Sequence, residues 1–87
     1  MSLLTLIREH AIVANVAAGG VTYRVVTEAM REDAISGHSQ GGYFVKDYPI
    51  EERNGTLNAL KLQGFNTHFT DESQSTIWVS WLPKHPR

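Results

Sequence analysis

The sequence contains no cysteine. That absence removes disulfides, thiolate metal sites and a cysteine nucleophile together. Charge imbalance is missing as well: eight Lys and Arg stand against nine Asp and Glu, for a formal net charge of −1. A chain that grips phosphate backbones carries a basic excess, and this one has none. Long hydrophobic runs are also lacking, and no window approaches the roughly 18 uncharged apolar residues of a membrane span. The apolar start Leu3-Leu4-Thr5-Leu6-Ile7 has no basic residues ahead of it and is cut by Arg8-Glu9-His10, so it does not read as a signal peptide. The expectation is a soluble, cytoplasmic protein with no cofactor and no membrane contact.

What remains is ordinary globular composition, with 41% hydrophobic and 20% charged residues. A chain of 87 residues reads as one domain, 1–87, with a thin core. Proteins of this size often gain stability by oligomerising.

Leu3, Ile7, Ala11, Ala14 and Ala18 share one helical face, and Ser2 can cap its start. The spacing predicts a helix over 2–18 whose alanine-rich half offers a flat packing face, stopped by Gly19-Gly20. Residues 21–36 carry two periods. Val21, Tyr23 and Val25 alternate like a strand, whereas Tyr23, Val26, Met30 and Ala34 keep helical spacing. The helix formers of Thr27 to Ala34 favour a helix over about 22–36. Gly37, Gly41 and Gly42 mark a loop. Tyr43 to Lys46 reads as a short strand.

A third helix opens at Asp47-Tyr48-Pro49, places Ile50, Leu57 and Leu60 on one face, and stops at Gly64. Asn54-Gly55 inside it is a competing hairpin cue without alternating strands beside it. Phe65, Thr67 and Phe69, then Ile77, Val79 and Trp81, alternate around the polar run 71–75 and predict a β-hairpin. Pro83 ends it, and residues 83–87 form a tail. The fold class expected is α+β: helices packed on one face of a small, mostly antiparallel sheet with a C-terminal hairpin.

One segment names a chemistry. Gly37-His38-Ser39-Gln40-Gly41 is a Gly-x-Ser-x-Gly pattern, the form of a nucleophile elbow. An elbow places its serine between a strand and a following helix. Ser39 instead follows a helix-like segment and precedes a strand-like one. Asp47 or Asp71 with His85 would complete the triad order, but no large parallel sheet fits in this length. Ser39 therefore reads as a loop hydroxyl, and a serine hydrolase is the lesser alternative.

His10, His38, His68 and His85 show no metal-ligand spacing, and His68-x-x-Asp71 would need ligands from elsewhere. Neither glycine pair forms a phosphate loop. The order helix, helix, strand, helix, hairpin is similar to a winged helix-turn-helix, which would put the helix at 50–63 in the major groove. There, however, Glu51 and Glu52 balance Arg53 and Lys61, and Asp71 and Glu72 sit in the hairpin loop, so both elements disfavour phosphate.

Trp78 and Trp81 alternate to opposite faces of the last strand, and one face of a two-layer domain stays bare unless a partner covers it. Phe69, Trp78 and Trp81 are the expected partner-binding residues. Glu51, Glu52, Asp71 and Glu72 are candidate rim charges. The C-terminal part, through Leu60, Leu62, Gly64 and Phe65, then Ile77, Val79, Ser80 and Trp81, resembles small uncharacterised accessory proteins of tailed bacteriophages. That resemblance covers about a quarter of the chain. It implies a phage accessory or virion-associated protein that acts by binding another protein, in the host cytoplasm. The reading is a non-enzymatic interaction module whose partner is another protein or a second copy of itself. A winged-helix DNA binder is the main alternative.

Overall fold

The computed structural model describes residues 2–81. The proposed triad partner His85 and the predicted tail lie outside the described residues. Two helices pack on one face of a three-stranded antiparallel sheet, in the order α1 (Leu3–Ile35), β1 (Gln40–Phe44), α2 (Ile50–Leu62), β2 (Asn66–Phe69) and β3 (Thr76–Ser80). The α+β class is as expected.

Ser2 caps α1 as the sequence suggests, its hydroxyl accepting from the Thr5 amide at 3.1 Å. The Gly19-Gly20 stop is only half realised. Gly20 takes φ 52° and ψ −130°, which breaks the helix, yet helix resumes at once on the other side. The restart is capped from another element: the Thr22 amide and hydroxyl donate to Glu52 Oε1 of α2 at 3.3 and 2.8 Å. That carboxylate meets unsatisfied amides at the positive end of a helix. Residues 21–35 are thus helix, and the strand-like alternation there loses to it.

The two helices cross at glycine. A Cβ on Gly55 would lie 2.7 Å from the Gly19 nitrogen and 2.9 Å from the Ala18 carbonyl carbon. Asn54-Gly55 is therefore not a turn. Gly55 is the flat spot that lets two backbones touch.

Both helix ends bear out the glycine reading. Gly37 donates to the Ala34 carbonyl and His38 to that of Asp33, while Gly64 and Phe65 donate to Lys61 and Leu60. Each is the paired closure of a Schellman motif, with glycine at φ 92° and 98°.

The strand order is β1-β3-β2. Strand β1 starts at Gln40, three residues before the expected strand, and takes Gly41 and Gly42 out of the predicted loop. A Cβ on Gly41 would collide with the Tyr43 ring, which lies across β1 to donate its hydroxyl to Asp33 at 2.7 Å. Gly42 is in register with Trp78, which faces His68 on its other side.

The core is Val26, Met30, Val45, Leu57, Leu60, Ile77 and Val79. Leu57 and Leu60 bury as the helical face predicts, but Ile50 at the start of α2 stays exposed. Among the described residues, none before Gly19 is buried.

Candidate functional site

Ser39 sits between the end of α1 and the start of β1, a helix-to-strand turn and the reverse of an elbow. Its carbonyl accepts from the Trp81 amide, and the neighbouring His38 carbonyl accepts from the Trp81 indole at 3.0 Å. The Gly-x-Ser-x-Gly pattern divides among three structural tasks: Gly37 ends α1, Ser39 meets the end of β3, and Gly41 makes room for Tyr43.

The other chemical candidates are occupied locally. The Asp71 carboxylate holds the hairpin loop through the Ser73 and Ser75 hydroxyls and the Ser75 amide. Those hydrogen bonds hold it below the usual aspartate range. The His68 ring leans on Trp78, with centroids 5.0 Å apart. Tyr43 is shifted the other way: burial first, then the bond to Asp33, pushes its phenol well above the ordinary tyrosine range. Among the described residues, no three His, Asp or Glu side chains gather as metal ligands, and no helix is long and apolar enough to cross a membrane.

In α2, two of the four charges weighed against nucleic acid have internal partners. Glu52 caps the second half of α1, and Arg53 donates to the Tyr48 and Gln74 carbonyls at 2.9 Å each. Glu52 and Asp71 are thus committed within the domain, while Glu51 and Glu72 are exposed.

The three expected partner residues separate. Phe69 and Trp81 are half-buried and pack against the core. Trp78 lies on the opposite face of β3, as the alternation predicts. It forms a small free patch with His68 and, one pair further along β1, the exposed Phe44.

A larger uncovered surface escaped the sequence reading. In the first half of α1 the half-buried positions are Ala11, Ile12, Asn15 and Val16, leading to buried Gly19 at the crossing with α2. Of the predicted packing face, Ala11 is half-buried, while Leu3, Ile7, Ala14 and Ala18 are exposed. Residues 3, 6, 7, 10, 13, 14 and 17 lie within about 60° of a common direction at 100° per residue, opposite the packed face. Leu3, Leu6, Ile7 and Val13 on that stripe are 41–71% exposed. Leu4, also exposed, projects instead on the side of Ala11 and Asn15. The usable signal was Asn15 and Gly19, a polar residue and a glycine marking the side that packs closely. Asn15 donates to the Ala11 carbonyl at 2.8 Å, satisfying itself within the helix.

Comparison with protein-family models, curated proteins and solved structures finds no match to this chain.

Proposed function

We propose that this protein is a non-enzymatic interaction module that associates with itself through the outward face of residues 3–17. The single observation that carries the reading is an uncovered apolar stripe on the first half of α1. That half turns Ala11, Ile12, Asn15, Val16 and Gly19 towards the body and Leu3, Leu6, Ile7 and Val13 towards water. A contiguous apolar stripe of that kind on a small domain marks a binding surface. The role agrees with what the resemblance to small phage accessory proteins implies.

The magnitudes favour a reversible contact. Fully burying a Leu, Ile or Val side chain contributes about 1.5–3 kcal/mol. Four such side chains, 41–71% exposed, give roughly 5 kcal/mol per copy when covered, or about 10 kcal/mol for a symmetric pair. Association itself costs about 4–15 kcal/mol, so pairing depends on concentration.

Sedimentation velocity on the full chain tests this. Wild type should gain mass as concentration rises from about 1 to 500 μM, a range spanning weak to moderate affinity. Leu6→Asp/Val13→Asp should stay a protomer throughout, and Trp78→Ala should behave as wild type. A wild type that remains one protomer at every concentration overturns the reading. Loss of association in Trp78→Ala alone would move the contact to the sheet.

A further inference from the structure

We infer that the partner on this stripe is a second copy of the chain docked antiparallel, with the two-fold axis at His10. The inference rests on the self-association reading and adds its orientation and register. Helix geometry makes any stripe centred on residue 10 symmetric about it, so what is specific to this chain is which side chains that symmetry pairs. An antiparallel pair centred on residue 10 therefore sets Leu3 against Ala17, Leu6 against Ala14, Ile7 against Val13, and His10 against itself. Every apolar pair joins a larger side chain to a smaller one. A two-fold contact requires this reciprocity, since each patch must complement itself. Parallel pairing in register would set leucine on leucine at one end and alanine on alanine at the other. That arrangement bulges where the side chains are large and leaves gaps where they are small.

The polar groups agree. His10 is the one ionisable side chain on the stripe, since Arg8 and Glu9 both fall outside it. A neutral imidazole offers one donor and one acceptor, so two of them across an axis can satisfy each other. A lipid surface is the weaker occupant, because interfacial helices carry Lys and Arg along the polar face, and this segment has Arg8 offset by Glu9. The segment from 3 to 17 is about 22 Å long, so the paired area falls below the roughly 1,200 Å² of a standard stable interface. That matches a reversible dimer.

Because the chain has no cysteine, single-cysteine variants report contacts without background. Leu3, His10 and Ala17 are all exposed, so their substitution leaves the protomer intact, and circular dichroism checks this. Under mild oxidation His10→Cys should form a covalent dimer and Leu3→Cys should not. Leu3→Cys/Ala17→Cys should link, since a disulfide needs Cα atoms within about 7 Å. His10→Leu should tighten association about ten-fold or more, the apolar gain of one buried side chain on each copy. A dimer by mass in which Leu3→Cys links as readily as His10→Cys is parallel, and it overturns the inference while self-association stands. A dimer by mass in which no variant links overturns the register. A wild type that is monomeric at all concentrations removes the reading beneath it. A monomer that binds phosphatidylcholine vesicles assigns the stripe to lipid and overturns both.

Discussion

The two halves of α1 have similar apolar content and opposite uses. Residues 21–35 bury Thr22, Val26 and Met30 and pack beneath the sheet. Residues 3–19 bury only Gly19, half-bury Ile12 and Val16, and leave Leu3, Leu4, Leu6, Ile7 and Val13 exposed. The difference originates at the crossing with α2. Close backbone contact selects a glycine at the crossing, and the turns before it face the body with Ala11, Ile12, Asn15 and Val16 and leave Leu3, Leu6, Ile7 and Val13 outside. Core formation does not account for them, and the proposed association would.

The largest expected effect separates the halves by breaking their shared junction. Gly55→Ala drives a Cβ into the Gly19 backbone, 2.7 Å from its nitrogen, and neither helix can yield cheaply. A loss of about 3 kcal/mol is expected, the upper range for overpacking, read as a fall in urea midpoint. Next is the cap. Glu52→Ala frees the Thr22 amide and hydroxyl and should cost about 1–2 kcal/mol, whereas Glu52→Gln, which keeps an acceptor oxygen, should recover part of it. A smaller change of opposite sign is expected at Thr56, whose buried hydroxyl has no hydrogen-bond partner among the described residues. Thr56→Val keeps the shape, removes the orphaned group, and should raise stability by about 1 kcal/mol. By contrast, Leu6→Asp/Val13→Asp should leave protomer stability within about 0.5 kcal/mol while abolishing association. That result would divide the roles of the two halves directly.

The smallest effect concerns pH and belongs to the second half alone. Tyr43, bonded to Asp33, has its folded pKa raised. Its contribution is therefore complete below the unfolded tyrosine value of about 10 and is lost as pH rises above it. Stability measured from pH 9 to 11.5 should decline, and Tyr43→Phe should flatten that decline.

Much of this fold was legible in the sequence. Ser2, Gly37 and Gly64 act by local rules that a sequence displays, and the hairpin follows from alternation through Thr67 and Val79. Two glycines that read as turn or loop have their reason in packing. Gly55 faces Gly19, and Gly41 lies under the Tyr43 ring that reaches Asp33. Neither the helix crossing nor the reach to Asp33 shows in a local window. The burial of the expected partner residues was not legible either. Phe69 and Trp81 are the conspicuous aromatics, and both are half-buried against the core. The stripe of residues 3–17 shows periodicity, yet periodicity alone does not say which side of a helix meets the body.

The most direct measurement is a series of amide correlation spectra of the full chain at rising protein concentration. Shifts confined to residues 3–17, saturating as the mass doubles, are the predicted result. Shifts centred on Phe44, His68 and Trp78, or spectra that do not change, would contradict it.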